Sequence, residues 1–199
     1  MEVAMMSREN EQLFFDVIER RASVRSFKQK EIPETYIKRL LETAISAPSS
    51  GNMQPWEFII IKKENQKHEL VKCTYFGYFS KGENYQTWIA YAGLIIVVCA
   101  NLKRTCARYG VDGKEWAPID VAAATENILL AATSLGLAGC WVGGFDEQKL
   151  KEYLNIPSYV KPIGMVPIGF PKGTTTRKYR MDLKWLTHDG VYNQPYFKE

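Results

Sequence analysis

The chain has 199 residues, 46% hydrophobic and 24% charged, with a formal net charge of +4. That length supports one sizeable core, and no Pro/Ser/Gly-rich linker divides it, so a single domain over residues 1–199 is expected. The charge is too mild for a nucleic-acid-binding stripe and fits a small anionic ligand or no particular partner.

The amino end carries acids and no apolar stretch with a small-residue cleavage site, which speaks against a signal peptide. Leu13, Phe14, Val17 and Ile18 make a short helical stripe ending at Glu19-Arg20-Arg21. Pro33 opens a second helix, where Ile37, Leu40, Leu41, Ala44 and Ile45 recur at i, i+3, i+4, i+7 and i+8. Phe58 to Ile61 reads as a buried strand, followed by a helix from about Asn65 to Lys72. The segment Tyr75 to Tyr91 is aromatic-rich and fits neither period.

Leu94 to Cys99 is a second buried strand, short and β-branched. The longest apolar run, Leu94 to Ala100, is far too short for a membrane span. A long helix follows from about Pro118 to Leu135, with apolar residues over nearly its whole circumference. Such a helix must be buried on all sides, which points to one shared with a second copy of the chain. Gly136 ends it, and a third strand runs from Gly139 into Gly143-Gly144. Asp146 caps a helix reaching Leu154, and Ile163 to Gly169 is a fourth strand. The tail from Thr174 is polar and basic and ends in an aromatic arm, Tyr192, Tyr196 and Phe197. Short strands separated by helices suggest a two-layer or three-layer α/β sandwich.

Chemistry concentrates in a few places. Ser46 to Phe58 forms a turn whose Ser49, Ser50, Asn52 and Gln54 offer hydroxyls and carboxamides, followed by the indole of Trp56. Neutral donors and acceptors beside a flat apolar face suit a polyol or a heterocycle better than a metal. The other reading is a solvated helix-to-strand loop with Trp56 as a core anchor. In Arg21-Ala22-Ser23-Val24-Arg25, alternation sends Arg21, Ser23 and Arg25 to one face, a receptor for phosphate or carboxylate. A charged helix end is the alternative. Lys178 and Arg180 alternate in the same way. Gly143-Gly144 lets a flat ligand approach backbone N–H groups, or is a plain strand-to-helix turn.

Other signatures are missing. No GxGxxG, Walker A or GxSxG pattern occurs. Cys73, Cys99, Cys106 and Cys140 form no CxxC pair and have only His68 and His188 to assist. Isolated thiols in a reducing cytoplasm are expected rather than a zinc site. With little side-chain acid–base chemistry available, a cofactor that brings its own reactivity fits better.

These motifs together resemble the nitroreductase family of flavoproteins over about residues 12 to 190. The family's R-x-S-V-R element followed by an aromatic stands as Arg21 to Phe27, and its A-P-S-x-x-N-x-Q-P-W loop as Ala47 to Trp56. Its long interface helix resembles Ala122 to Leu137, with the glycine-bearing strand end at Gly143-Gly144. Its late strand and K-x-R element resemble Pro167 to Pro171 and Lys178 to Arg180. The resemblance implies an α+β fold, a nitroreductase-like α/β sandwich whose central, mostly antiparallel sheet is flanked by helices, in an interlocked homodimer. It implies FMN at the subunit interface, NAD(P)H as electron donor, and a small electron-poor acceptor such as a nitroaromatic or quinone. Neither nucleic acid nor membrane is implied as a partner.

Carried over by position, Arg21, Ser23 and Arg25 would hold the FMN phosphate and reach toward the pyrimidine edge, and Lys178 and Arg180 would close on the phosphate. Pro48, Ser49, Ser50, Asn52 and Gln54, from the other subunit, would line the ribityl chain and ring. Gly143 and Gly144 would offer N–H groups near the flavin N5, and Gln86 would reach the polar edge of the ring. Ala22 departs from the family, where many relatives carry a second Arg. The implied reaction is hydride transfer through flavin N5 in a ping-pong sequence. A dehalogenating or flavin-fragmenting relative would need a special cover, which the variable residues 101–117 leave open; a flavin store without turnover is the non-enzymatic alternative.

Overall fold

Leu94 to Ala100 are all buried, and their side chains divide by parity. Leu94, Ile96, Val98 and Ala100 join one core cluster, while Ile95, Val97 and Cys99 join another. A strand that is apolar on both faces must be covered on both faces, and this one is. In the computed structural model, which describes residues 8–77, 84–174 and 176–197, it is the inner strand β2 (Leu94–Asn101) of a four-stranded antiparallel sheet. The order is β1 (Trp56–Ile61), β2, β4 (Val160–Gly169), β3 (Ala138–Gly139). The readings made for the first residues of the chain and for the middle of Tyr75 to Tyr91 lie outside the described residues, whereas the arm residues Tyr192, Tyr196 and Phe197 are described and exposed.

On one face lie α2 (Glu34–Ala44) and α5 (Gly113–Ser134), through Ile37, Leu40, Ala44, Val121, Ala124, Ile128 and Ala132. On the other lie α3 (Glu64–Val71) and α6 (Glu147–Leu154), through Leu70, Val71 and Leu150. The α+β architecture is therefore three layers within one chain. Helix α1 (Arg8–Arg20) and helix α4 (Leu102–Tyr109) complete the set, each packing on α5. Asp146 caps α6, its Oδ1 accepting from the Lys149 N–H at 3.1 Å. Among the described residues no helix is long and apolar enough to cross a membrane.

Two elements differ from expectation. Helix α5 begins at Gly113 rather than Pro118, so the proline lies inside it. A ring at the sixth helical position removes one N–H near the amino end, which packing on α4 and on α2 outweighs. The buried residues of α5 from Ala117 on, namely Ala117, Asp120, Val121, Ala124, Thr125, Ile128, Leu129 and Ala132, follow one broad stripe, while Ile119 on the opposite side is 67% exposed. Within one chain the all-round apolar helix is thus covered on one side.

The third strand is also shorter than expected. Only Ala138–Gly139 pairs with β4; the Cys140 N–H then donates to the Pro167 carbonyl at 3.3 Å, and Val142 bridges Met165. Between them the indole of Trp141 lies against Gly164, in space any side chain at Gly164 would need. Gly143-Gly144 therefore lies beyond the sheet, in irregular backbone ahead of α6.

Candidate functional site

The Arg21–Lys28 segment follows α1 in extended form along the open edge of the sheet. Ser23 bridges Gly139 in parallel, and the Val24 N–H donates to the Gly139 carbonyl at 3.0 Å. Further on, the Lys28 N–H donates to Phe170 at 2.8 Å and the Lys172 N–H to Ser26 at 3.0 Å. Alternation sorts the side chains only as far as Arg25. Val24 is buried between exposed Ser23 and Arg25, and the period then breaks, with Ser26 exposed and Phe27 turned in beside Val24 against Ala92 and Ala138. Arg21 Nε lies 3.4 Å from Glu126 Oε1 on α5, and the Arg25 guanidinium lies over the Trp88 ring, 5.8 Å from its centre.

The charges of the segment also bear on a buried thiol, Cys140, whose Sγ donates to the Trp141 carbonyl at 3.7 Å. Burial pushes the Cys140 thiol up, and Arg25, a hydrogen bond from Ser23 and Arg21 draw it back in that order. Burial likewise raises the Glu126 carboxyl, which Arg21 partly offsets. The segment is thus a basic, hydroxyl-bearing strip with an apolar underside.

The Ser46–Phe58 loop is held in an uncommon shape. Ser50–Asn52 makes one 3₁₀ turn, and Gly51, Asn52 and Gln54 have φ of 54°, 58° and 48°. Left-handed backbone at Asn52 and Gln54 is strained and persists only where the surroundings fix it. Ser49 Oγ accepts from the Gln54 N–H at 3.0 Å. Asp120 Oδ1, on α5, accepts from both the N–H and the hydroxyl of Ser50, each at 3.0 Å. From α4, Arg104 donates to the carbonyls of Gln54 at 3.0 Å and Trp56 at 3.3 Å and to Glu57 Oε1 at 2.9 Å, and Arg108 donates to Gly51 at 3.4 Å. A Cβ on Gly51 would meet the Tyr109 hydroxyl and Arg108.

Residues 101–117 are therefore the end of β2, helix α4, a short 3₁₀ turn and the start of α5, and α4 braces this loop. Pro48, Asn52 and Gln54 are exposed, and Ser49 and Ser50 half-buried. Trp56 is not presented with them. It is 6% exposed within the α2–α5 core, because as the first residue of β1 opposite Ala100 it points inward.

The glycine pair separates into two roles. A Cβ on Gly143 would meet nothing within 4 Å, whereas one on Gly144 would meet the Tyr75 carbonyl at 2.7 Å and Gln86 Nε2 at 3.2 Å. Gln86 Nε2 donates to the carbonyls of Tyr75 at 3.0 Å and Gly144 at 3.3 Å. Its side chain thus joins two backbone segments. Lys178 and Arg180 are exposed; Arg180 Nη1 donates to the carbonyls of Lys178 and Tyr179, and neither cation forms an ion pair among the described residues.

The histidines lie elsewhere, His68 exposed beside Glu64 on α3 and His188 against the Tyr192 ring. Cys73, Cys99 and Cys140 are buried, Cys106 is half-buried, and no cluster among the described residues could hold a metal ion.

A family model described as Nitroreductase family matches residues 18–170. The chain belongs to the nitroreductase family. The basic strip, the Ser46–Phe58 loop and Gly143-Gly144 all fall inside the matched span, and Lys178 and Arg180 lie beyond it. An Archaeoglobus fulgidus protein provisionally named NADH dehydrogenase/NAD(P)H nitroreductase is 33% identical over 156 residues, 76% of this chain and 82% of that one. The FMN reductase (NADPH) of Bacillus subtilis is 26% identical over 185 residues, 86% of this chain and 71% of its own. Among solved structures, a nitroreductase family protein from Clostridium novyi NT superposes with a TM-score of 0.70 at 28% identity, covering 92% of this chain and 96% of that one.

Proposed function

We propose that the protein is an FMN-dependent oxidoreductase that takes hydride from NAD(P)H and passes it to a nitroaromatic, quinone or similar electron-poor acceptor. The two reactants use the same site in turn, a ping-pong sequence. The residues suit FMN: a dianionic phosphate needs forked cations and a hydroxyl, which Arg21, Ser23 and Arg25 present from one strip. Lys178 and Arg180, without ion-pair partners among the described residues, are available to join them. Bound FMN supplies the two-electron chemistry, which the protein's two histidines and isolated thiols are poorly placed to supply.

The observation that carries the reading is the way α5 bears both halves of the site. Asp120, which holds the loop, and Glu126, which pairs with Arg21, are six residues apart, or roughly 120° around a helix. Loop and strip thus attach to different faces of α5 in one chain. A second copy packed on the uncovered face, where Ile119 is exposed, would bring the loop of one chain to the strip of the other. Pro48, Ser49, Asn52 and Gln54 then line the polyol chain from the second subunit, and Ser50, its hydroxyl given to Asp120, stands behind them. Arg25 would supply a cation toward the pyrimidine edge of bound FMN. Gly143 and Gly144 offer N–H groups at the opposite edge, and Gln86 supports Gly144 from behind.

Purified protein tests this directly. It should be a yellow homodimer with about one FMN per subunit, bleach anaerobically with NAD(P)H, and recover its colour on adding a quinone. A colourless monomer indifferent to added FMN would sink the proposal. Bleaching without recovery in any acceptor would leave a flavin store.

A further inference from the structure

Asp120 is 6% exposed on α5, and its Oδ2 is buried with no hydrogen-bond partner among the described residues. No ion pair compensates it among those residues. A buried carboxylate left half-satisfied is costly, and such a group calls for a physical reason. The reason lies at its other oxygen. Oδ1 takes both polar hydrogens of Ser50, seventy positions away in the chain. The bond between Ser49 and Gln54 closes the turn on itself but does not orient it. Arg104 and Arg108 grip outward carbonyls from exposed positions. Among the described residues, Asp120 is the side chain that hydrogen-bonds the turn to the buried face of α5, just ahead of left-handed Gly51, Asn52 and Gln54.

We infer that Asp120 is the positioning residue of this loop: through Ser50 it fixes the strained backbone that presents Ser49, Asn52 and Gln54 to the cofactor. The inference rests on the FMN reading for what the loop binds, but not for what holds it. Because Oδ1 does the holding, an oxygen acceptor is required there and the charge is not.

Four variants test this: Asp120→Ala, Asp120→Asn, Ser50→Ala and the Asp120→Ala/Ser50→Ala pair. Amide exchange is read in FMN-free protein and FMN affinity by titration. Asp120→Ala should speed exchange across residues 49–54 by about tenfold or more and weaken FMN binding about tenfold to a hundredfold, leaving β2 protected. Asp120→Asn, which keeps an acceptor, should restore both to within about threefold. Ser50→Ala should have the smaller effect, because its N–H still binds, and the double variant should be no worse than Asp120→Ala alone. Unchanged loop exchange in Asp120→Ala, additive effects in the pair, or an Asn variant as poor as the Ala variant would overturn the inference. If Asp120→Ala does not fold, unchanged exchange in Ser50→Ala overturns it instead. Failure of wild-type protein to bind FMN would defeat the functional reading, while the exchange measurements would still decide the role of Asp120.

Discussion

Arg21 Nε and Glu126 Oε1 lie 3.4 Å apart, with the arginine side chain four-fifths covered and the glutamate half-exposed. The pair leaves the guanidinium already engaged before any phosphate arrives. Glu126 and phosphate then compete for one cation. Glu126→Gln should therefore tighten FMN binding, by about twofold to fivefold, since half-exposed pairs are individually weak. Titration by flavin fluorescence checks it, and a weaker complex would show that Glu126 orients Arg21 rather than competing for it.

Removing the cations should act the other way. Arg21→Ala/Arg25→Ala and Lys178→Ala/Arg180→Ala should each cost two or more decades of FMN affinity, at roughly 1.5–3 kcal/mol per charge-assisted contact. Circular dichroism should confirm an intact fold. Normal affinity in both double variants would reduce these residues to surface charge.

Gly143 and Gly144 should respond differently to alanine. At Gly144 the new Cβ would lie 2.7 Å from the Tyr75 carbonyl, so Gly144→Ala should destabilise the fold by about 1–3 kcal/mol. At Gly143 nothing lies within 4 Å, so Gly143→Ala should leave thermal stability unchanged and still weaken FMN binding if the flavin edge approaches there. A Gly143→Ala protein normal in both respects would place the cofactor elsewhere.

Turnover should survive loss of either histidine. His68→Ala and His188→Ala should stay within a few-fold of wild type, where a general acid would lose about 10²–10⁴-fold. Double-reciprocal plots should be parallel. Intersecting lines, or collapse of either variant with FMN still bound, would place a protein group in the chemistry.

Burial pushes the Cys99 thiol up to about 12 from 9.0 and raises Cys73 and Cys140 in the same direction. For a thiol raised by folding, the stabilisation is complete below the unfolded value and lost as pH climbs toward the folded one. Urea unfolding should therefore show stability falling from about pH 9 upward, with a shallower fall in Cys99→Ala. An equal slope in wild type and variant would contradict this.

Much of the layout was legible because it rests on short-range pattern. The two-faced apolar run of β2 and the stripe of α2 marked buried elements, and alternation matched the exposed Ser23 and Arg25 on either side of buried Val24, though not the inward turn of Phe27. What escaped depends on distant pairings. Nothing near Asp120 signals that it reaches Ser50, and nothing in Leu102–Tyr109 announces that Arg104 and Arg108 grip a loop fifty positions earlier. The truncation of β3 hangs on Trp141 finding Gly164, and Trp56 looked available because its strand parity was hidden until Ala100 became its neighbour.

The spacing from Asp120 to Glu126 makes α5 a phase-locked rail. Inserting or deleting one residue between them would turn one anchor by about 100° relative to the other. Either Asp120 would lose Ser50 or Glu126 would lose Arg21, because the strip, fixed to Gly139 and Phe170 by its backbone, could not follow the helix. Insertions in the chain that joins these elements only change the path between them. The length of this helical stretch is therefore less tolerant of change than its composition, and a single inserted alanine in α5 should be more damaging than most substitutions there.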